Sequence, residues 1–250
     1  MPRLAVIVPV YNEAFTVERA IMRIDAAPLP AGLARSIIAI NDGSTDDSPA
    51  LLDGLAGRLR ERLTVVHHAE NRGKGAAIRA GLEAARDADF VLIHDADLEY
   101  DPADHATVLA PLLTDRADAV IGSRFRGGTS HRVLYFWHAV ANRILTTLSN
   151  MLTNLNLSDI ECCTKAFSRR VAAKLSIAED RFGVEPEIIA RLARMRLPAS
   201  ERGGPSGSQP LRIFEVPVSY SGRTYAEGKK ITWRDGLSAL WCIAKHNFSA

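Results

Sequence analysis

The sequence is poor in cysteine, with only three among 250 residues. Cys162 and Cys163 are neighbours, and Cys242 lies far from both. A disulfide framework needs several cysteines at paired spacings, and a zinc site needs ligands a few residues apart. The cysteine content therefore argues against a disulfide-stapled secreted protein and against a zinc site, and it fits a reducing compartment.

Long apolar runs are also missing. No stretch approaches the roughly 20 apolar residues that span a bilayer. The N-terminal segment "MPRLAVIVPVYNE" lacks a signal-peptide cleavage site and is predicted to be a first strand. The formal net charge is only +2, so charge gives no indication of a nucleic-acid partner. We expect a soluble protein, or one that lies on a membrane surface.

Short apolar runs of strand length are present throughout the first half. They are continuous rather than alternating, which is typical of strands buried on both faces of a sheet. Segments with helical spacing separate them, and this alternation predicts an α/β fold with a mostly parallel sheet flanked by helices. The predicted strands are 4–10, 36–41, 63–68, 90–95 and 118–123, and the predicted helices are 16–25, 46–61, 74–86 and 103–114.

Polar clusters follow the first four predicted strands. Ligands of such sheets bind beyond the carboxyl ends of the strands, so we expect these clusters to form one site. The clusters are "YNE" (11–13), "NDGSTDD" (41–47), "NRGKG" (71–75) and "DADLE" (95–99).

The segment "HDADLEYDP" (94–102) carries the most specific of these patterns. Asp95, Asp97 and Glu99 would lie on the same side of an extended chain, where like charges repel unless a cation neutralises them. Carboxylate oxygens suit magnesium or manganese. The alternative is an acid-rich turn that caps the following helix. The polar residues after the three other strands favour the metal site over the capping turn.

The remaining polar residues are less specific. "NDGSTDD" fits a tight turn with a helix cap, and it equally fits an acceptor, Asp42, for a nucleotide base or ribose. "NRGKGAAIRAG" is glycine-rich but matches neither of the common phosphate-loop spacings. Arg124, Arg223 and Lys229 would contact a diphosphate or belong to solvated loops. The histidines show no metal spacing, and His94 is predicted to be a core or supporting residue.

The second half of the chain is less regular. Residues 134–157 are predicted to form one or two amphipathic helices, whose stripe either packs on the sheet or lies at a membrane interface. "GGPSGSQP" (203–210) is predicted to be a loop, "LRIFEVPVSY" (211–220) a strand and "WRDGLSALWCIAKH" (233–246) a closing helix. The stripe consists of Trp137, Val140, Ile144, Leu148, Met151 and Leu155.

Taken together, "VIVPVYNE", "NDGSTDD", "NRGKGAAIRAG", "DADLEYDP" and "GSRF" resemble the motifs of the family 2 inverting glycosyltransferases. The sequence looks most similar to polyprenyl- and dolichyl-phosphate hexosyltransferases, such as dolichyl-phosphate mannose synthase. The match covers about residues 4–125 and resumes at "SDIECCTKAF" and "RTYAEGKK". It implies a single GT-A domain over residues 1–250, with a Rossmann-like nucleotide-sugar-binding half (1–125) and an acceptor-side extension of helices and strands (126–250).

The resemblance also implies roles for individual residues. Asp97 would ligate Mg²⁺ or Mn²⁺, together with Glu99, which stands where the synthase often has Gln. Asp159 matches the acid that opens the acceptor-side motif, where a catalytic base is expected in relatives with hydroxyl acceptors. The implied catalytic residues are Asp97, Arg124, Asp159, Arg223 and Lys229. The implied nucleotide-binding residues are Pro9, Tyr11, Glu13, Ile40, Asp42, Asp95, Ala96 and Asp97.

The activity implied is metal-dependent transfer of a hexose, with inversion, from a UDP- or GDP-linked sugar to polyprenyl phosphate. A hydroxyl acceptor is the alternative and would need a carboxylate base. A sugar-nucleotide-binding scaffold is the non-enzyme alternative, since a fold does not prove a function. A nucleotidyltransferase is disfavoured because "PVYNEAFT" is not a glycine-rich, arginine-containing loop. A haloacid dehalogenase-type phosphatase is disfavoured because its acidic motif follows the first strand.

The expected location is the cytoplasm, with peripheral attachment to the inner face of the cell membrane. The expected partners are the nucleotide-sugar donor, a lipid-phosphate acceptor and the membrane surface, with no nucleic acid.

Overall fold

A computed structural model describes residues 1–127, 132–133, 135–199, 207–224 and 233–248. Its strands are β1 (Arg3–Val10), β2 (Ala34–Asp42), β3 (Leu63–His68), β4 (Phe90–Ile93), β5 (Ala119–Ser123), β6 (Lys165–Ser168), β7 (Arg196–Pro198), β8 (Ser208–Pro210) and β9 (Ile213–Pro217). Its α-helices are α1 (Val17–Ala26), α2 (Ser48–Leu59), α3 (Lys74–Ala84), α4 (His105–Leu113), α5 (Phe136–Thr153), α6 (Arg169–Ala172), α7 (Val184–Arg194) and α8 (Trp233–Phe248). Short 3₁₀ helices occupy Arg60–Arg62 and Pro102–Asp104.

A seven-stranded sheet runs through the centre in the order β3-β2-β1-β4-β6-β5-β9. Its pairings are parallel except at β6, which runs antiparallel to both β4 and β5. β7 and β8 form a separate antiparallel pair. The predicted α/β architecture, a mostly parallel sheet flanked by helices, is confirmed.

Both faces of the sheet are buried along its central strands β1, β4 and β5, as the continuous apolar runs predicted. Successive residues of β1 enter opposite layers: Val6 and Val8 belong to the larger core cluster, and Ala5 and Ile7 to the smaller one. Burying a side chain such as Ile7 contributes roughly 1.5–3 kcal/mol to stability. The rigid sheet that results fixes where its strand ends lie.

The predicted elements of the first half agree with the structure within a few residues, and the second half contains more. β6 and α7 were not predicted, and β8 lies inside the segment 203–210 that was predicted to be a loop. Residues 203–206 of that segment lie outside the described residues. The long amphipathic segment forms one helix, which ends where Asn154 adopts a left-handed conformation (φ 56°).

The acidic segment after β4 differs from the expectation of an extended chain. The strand ends at Ile93, and the chain then turns, with Leu98 in a left-handed conformation (φ 64°). The three acids therefore do not project from one side of a strand. Their positions depend on the turn and on the basic residues that they contact.

Among the helices in the described ranges, none combines the length and the apolar character needed to cross a membrane.

Candidate active site

A cavity of about 380 Å³ opens at the carboxyl ends of β1, β2 and β4. The prediction that the polar strand ends share one site is confirmed, because each of the four clusters contributes to the lining. The lining includes Pro9, Tyr11, Glu13, Asp42, Asn71, Lys74, Asp95, Ala96, Asp97, Glu99, Tyr100, Arg124, Glu161, Cys163, Arg181, Glu185, Tyr220 and Arg223.

The "NDGSTDD" segment and the first residue of α2, Ser48, hold the loop after β1 in place. The hydroxyl of Ser44 accepts a hydrogen bond from the backbone N–H of Asn12 (3.0 Å), and that of Ser48 accepts one from Glu13 (2.9 Å). Asp46 accepts one from the N–H of Ala14 (2.9 Å). Small polar side chains suit such contacts because they bond directly to backbone groups. Glu13 is thereby fixed at the cavity.

Asp42 anchors the loop that precedes α3. One carboxylate oxygen accepts from His68 Nδ1 (2.7 Å) and from the N–H of Arg72 (3.1 Å). The other accepts from Asn71 Nδ2 (3.0 Å) and from the N–H of Gly73 (2.7 Å). These bonds occupy the usual acceptor capacity of a carboxylate. Asp42 thus borders the cavity while its oxygens are engaged by the loop.

The glycines of "NRGKG" permit a close backbone contact. Gly73 has a φ of 101°, and a Cβ on it would overlap the backbone of Asp180. A Cβ on Gly75 would overlap the backbone of Glu179. These glycines therefore bring the start of α3 against the segment that leads into α7, which gives them a packing role that the sequence did not reveal.

Lys74, between those glycines, bridges two acids of the cavity. Its Nζ lies 3.0 Å from Asp95 and 2.9 Å from Glu185. Burial opposes the charged form, but the two carboxylates outweigh it and raise the pKa of Lys74 well above its ordinary value. Burial also opposes the charge on Asp95, and the nearby Lys74 nevertheless lowers the pKa of that carboxyl. Asp95 is therefore paired with Lys74 instead of sharing a site with the other two acids.

Asp97 and Glu99 converge on Arg223 with a third acid, Glu13. The guanidinium lies 3.2 Å from Asp97, 3.2 Å from Glu99 and 3.3 Å from Glu13. Burial and the negative charges of Asp95 and Glu99 raise the pKa of Asp97 to about 7, although Arg223 opposes the shift. This corner of the cavity therefore has more negative charge than its arginine neutralises.

The excess negative charge bears on the divalent metal that the sequence implied. In the described part of the chain, no group of three or more His, Cys, Asp or Glu side chains is arranged to hold a metal ion. Magnesium in nucleotide sites usually takes only one or two protein carboxylates and completes its shell with phosphate oxygens and water. Asp97 and Glu99 fit that pattern as two carboxylates, and both contact one cation, the guanidinium of Arg223.

Arg124 is held by a buried carboxylate. Its Nε and Nη2 lie 2.7 and 2.8 Å from the two oxygens of Asp159, which is fully buried. Burial opposes the charge, but Asp159 raises the pKa of Arg124 well above its ordinary value. The guanidinium also lies over the ring of Tyr220, 5.2 Å from its centroid. The hydroxyl of Tyr220 donates to Glu99 (2.5 Å), which links Arg124 to the acids.

Most of the residues implied by the resemblance therefore lie together. Those that line the cavity are Pro9, Tyr11, Glu13, Asp42, Asp95, Ala96, Asp97, Glu99, Arg124 and Arg223. Ile40 is fully buried in the core and Asp159 is behind Arg124, so the structure does not bring either to the cavity surface. Lys229 lies outside the described residues.

Sequence reasoning missed several lining residues. Lys74 was part of a quoted motif, but nothing in the sequence indicated its partners. Glu161 and Glu185 come from the second half of the chain, and nothing in the sequence indicated that they share a cavity with Asp95. The aromatic residue in "SYSGR", Tyr220, gave a weak signal because it precedes Arg223.

His94 is a core residue, as predicted. Its Nδ1 lies 3.1 Å from Nε2 of His105, and both rings are buried. Burial and the positive charge of Arg23 lower the pKa of His94 to about 4, although the nearby carboxylates of Asp95 and Asp101 oppose the shift. The pair therefore supports the turn after β4 in its neutral form.

Helix α5 turns a largely polar face towards the protein. Its buried residues are Asn142, Leu145, Thr146 and Ser149. Asn142 accepts a hydrogen bond from Arg124 (3.2 Å), and Thr146 accepts one from the N–H of Ile160 (3.4 Å). The helix is thus joined to the cavity wall by hydrogen bonds.

Most of the apolar stripe of α5 faces solvent, whereas Val140 and Leu155 are partly buried. Of the two alternatives that the sequence left open, packing of the whole stripe on the sheet is not what the structure shows. Trp137 and Met151 are 75% and 74% exposed. Helix α8 contacts α5 and exposes Trp241 to 67%. We call these exposed side chains the apolar surface; it comprises Phe136, Trp137, Ile144, Leu148, Met151 and Leu152 of α5 with Leu237, Trp241 and Phe248 of α8.

Curated relatives are similar over most of this chain. An undecaprenyl-phosphate 4-deoxy-4-formamido-L-arabinose transferase of Pseudomonas aeruginosa (strain LESB58) is 29% identical over 221 residues, covering 85% of this chain. The transferase of that name from Klebsiella pneumoniae (strain ATCC 700721 / MGH 78578) is 25% identical over 227 residues, covering 91%. The chain spans 62% of the length of each of these relatives.

Solved structures share the fold. Glucosyl-3-phosphoglycerate synthase from Mycobacterium tuberculosis, with Mn²⁺, UDP and glucosyl-3-phosphoglycerate, superposes with a TM-score of 0.68 at 20% identity, covering 98% of this chain and 80% of that one. The same protein with Mg²⁺ and UDP gives a TM-score of 0.66 at 21% identity, covering 98% and 79%. The architecture is therefore the GT-A fold, as the resemblance implied. The profile of the family described as Glycosyl transferase family 2 matches residues 5–176, and the chain belongs to that family.

Proposed function

We propose that this protein is a metal-dependent inverting glycosyltransferase that moves a hexose from a nucleotide-diphosphate sugar to polyprenyl phosphate. The observation that carries the proposal is the convergence of Glu13, Asp97 and Glu99 on Arg223 inside the cavity. Such a group of acids and a guanidinium suits a diphosphate that binds with a divalent cation. Family membership and the names of the relatives support the same reaction class.

The donor would occupy the cavity at the strand ends. The structural relatives were crystallised with UDP and Mn²⁺ or Mg²⁺, which supports a nucleotide-diphosphate ligand for this fold. Asp97 and Glu99 would hold Mg²⁺ or Mn²⁺, and the bound cation would neutralise charge on the diphosphate. Tyr11 and the loop held by Ser44 and Ser48 would form the nucleotide side of the cavity.

The chain's own residues would serve the reaction by binding and orientation. In transfer, the bond between the anomeric carbon and the donor phosphate oxygen breaks, and its electron pair leaves with the nucleotide diphosphate. A phosphate oxygen of the acceptor forms the new bond from the opposite face, which inverts the anomeric centre. Arg223 would donate hydrogen bonds to the departing diphosphate and stabilise the charge that develops there.

The acceptor needs little help from a base. A lipid phosphate is already anionic at neutral pH, so no proton has to be removed before attack. Arg124, fixed by Asp159, would bind that anion. Because Asp159 is fully buried against the guanidinium, we propose that it positions Arg124 and removes no proton from the substrate.

The apolar surface supports a lipid-linked acceptor. Trp137 and Trp241 are exposed on adjacent helices, and tryptophan is enriched at the headgroup level of membranes. Helix α5 also contacts Arg124 through Asn142, so the apolar surface and the cavity are connected. We propose that these helices lie on the inner face of the cell membrane, where the lipid phosphate would reach the cavity.

Donor and acceptor panels test the proposal. Purified protein is incubated with radiolabelled UDP-, GDP- and TDP-hexoses, with polyprenyl phosphate or 3-phosphoglycerate as acceptor, with Mn²⁺ or with EDTA. We expect metal-dependent labelling of the lipid, loss of labelling in Asp97→Asn, and normal labelling in Asp53→Asn, which changes an exposed surface acid. Labelling of only the soluble acceptor would overturn the lipid assignment. Donor binding without any transfer would favour a scaffold.

A further inference from the structure

Two carboxylates in one wall of the cavity have oxygens that lack hydrogen-bond partners. Glu161 Oε1 and Glu185 Oε2 are both buried without a partner, and both residues line the cavity. Leaving a buried polar atom unsatisfied costs about 1–3 kcal/mol, and native proteins keep few such atoms. The wall therefore has acceptors that a bound molecule with hydrogen-bond donors would satisfy.

Glu185 is fixed in direction before any ligand arrives. Its other oxygen, Oε1, accepts from Lys74 Nζ at 2.9 Å, and the residue is only 5% exposed. Lys74 is fixed in turn by Asp95 and by the close contact of Gly75 with the backbone of Glu179. The carboxylate of Glu185 is therefore held in place in the cavity wall.

Glu161 lies in the segment that leads into β6, and the charge of Glu185 affects its pKa. Burial and the negative charge of Glu185 raise the pKa of Glu161 to about 7, whereas Lys165 and Arg124 oppose the shift. Near neutral pH its carboxyl group can therefore either accept or donate a hydrogen bond. A hydroxyl group, which also does both, is complementary to it.

The charges of this wall favour a neutral ligand group. Lys74 already neutralises part of the charge of Asp95 and Glu185. The fully buried Lys165 donates to the backbone carbonyl of Cys162 and adds a positive charge near Glu161. Sugar hydroxyls therefore suit the wall better than an ammonium group does.

We propose that Glu161 and Glu185 bind hydroxyl groups of the transferred sugar and determine which sugar the cavity accepts. This inference rests on the proposed function, since it assigns the sugar end of the same nucleotide-sugar site. Discrimination should be strong, because a sugar that lacks the matching hydroxyl leaves a buried carboxylate unpaired. Glu185 would supply a fixed acceptor and Glu161 an adaptable one.

Isothermal titration with Mn²⁺ tests the inference on the whole chain. The ligands are UDP, GDP, UDP-glucose, GDP-mannose and the monodeoxy analogues of both sugars. The variants are Glu161→Gln and Glu185→Gln, with Glu179→Gln as the matched control, because Glu179 pairs with Lys245 away from the cavity lining.

We expect the wild type and Glu179→Gln to prefer one nucleotide hexose over at least one monodeoxy analogue by tenfold or more. In Glu161→Gln and Glu185→Gln that preference should disappear, while affinity for the nucleoside diphosphate stays within twofold. Undiminished preference in both variants, or no preference in the wild type, would overturn the inference and leave the proposed function standing. A wild type that binds no nucleoside diphosphate would instead overturn the proposed function, and this inference with it.

Discussion

The guanidinium of Arg124 binds both carboxylate oxygens of Asp159, at 2.7 and 2.8 Å, and the acid is fully buried beneath it. The family resemblance implied two separate roles for these residues: an anion-binding cation, and the position of a base in relatives with hydroxyl acceptors. The structure joins them into one unit, in which the acid has no access to the cavity. The consequences for stability and for catalysis can be measured separately.

Asp159→Asn should destabilise the fold. Removing one partner of a buried ion pair leaves the other charge unpaired, which costs about 3 kcal/mol or more. Asp115→Asn is the matched control, because its pair with Arg212 is on the surface and should cost no more than about 1 kcal/mol. Urea unfolding measures both free energies. Equal losses in the two variants would contradict a structural role for the buried pair.

Asp97→Asn should remove metal-dependent transfer without weakening the metal-free fold. Burial and the adjacent acids disfavour the charge on Asp97 and raise its pKa to about 7, so a neutral amide relieves repulsion. In EDTA at pH 8 we expect a melting temperature equal to or above that of the wild type. Near-normal turnover in this variant would contradict the role of Asp97 in holding the metal.

Arg223→Ala should reduce turnover far more than it reduces stability. Loss of one donor to a developing charge typically lowers kcat by about 10²–10³-fold. Some loss of stability is also expected, because Glu13, Asp97 and Glu99 lose the cation that they share, and proton uptake by Asp97 offsets only part of that loss. Steady-state kinetics and urea unfolding are compared with Arg58→Ala, which breaks a surface pair with Glu18. Indistinguishable kinetics for the two variants would assign Arg223 to a merely structural contact.

Glu161→Gln should gain stability over the wild type as the pH rises. The folded pKa of about 7 exceeds the ordinary value of 4.5, so the folded wild type binds more protons than the unfolded chain between these values. Its stability therefore falls across that window, by about 3 kcal/mol in total, and the glutamine variant escapes this loss.

For Glu179→Gln we expect the difference in stability from the wild type to change with pH in the opposite direction. Burial disfavours the charge on Glu179, but hydrogen bonds from Lys245 and His246 outweigh it and lower the pKa, so the wild-type residue stabilises the fold above about pH 4.5. This variant should lose stability at pH 8 and match the wild type at low pH. Urea unfolding at pH 4 and pH 8 measures both differences, and a pH-independent difference for Glu161→Gln would be incompatible with a raised pKa.

The apolar surface should bind anionic membranes. Vesicles that contain phosphatidylglycerol and polyprenyl phosphate should carry the protein in flotation at low salt and less at high salt, since exposed basic residues such as Arg143 add a screened attraction. Trp137→Ser with Trp241→Ser should abolish flotation, whereas Trp137→Phe with Trp241→Phe should retain it. A wild type that never floats would contradict membrane attachment.

The parallel part of the sheet could be predicted because each strand is a continuous apolar run followed by polar residues. β6 could not, because "KAFS" is only four residues long and begins with a lysine, Lys165, that is fully buried. Helix α7 could not be predicted either, because its buried face includes an acid, Glu187, where the helical pattern calls for an apolar residue. Charged residues in a core are exceptions to the pattern on which sequence prediction relies.

The acids of the site could be named from the sequence, but their pairing could not. Asp95 was grouped with Asp97 on a presumed strand, whereas it pairs with Lys74 because the chain turns after Ile93. The contact between Lys74 and Glu185 joins residues far apart in the sequence. The stripe on α5 was identified from its periodicity, but periodicity does not say which face of a helix is turned outward.

β6 runs against its neighbours, so the chain enters this strand at the edge where the parallel strands end. Glu161 and Cys163 are in the stretch that leads into β6, whereas Glu13 and Asp97 follow the ends of β1 and β4. Asp42 is the last residue of β2. The short peptide before Lys165 thus contributes to the cavity wall and lies outside the paired residues of β6. Under the proposed assignment, substitution of Glu161 within this peptide would change the sugar preference while the strand ends that would hold the nucleotide stay in place, whereas Asp159 of the same peptide has to remain to hold Arg124.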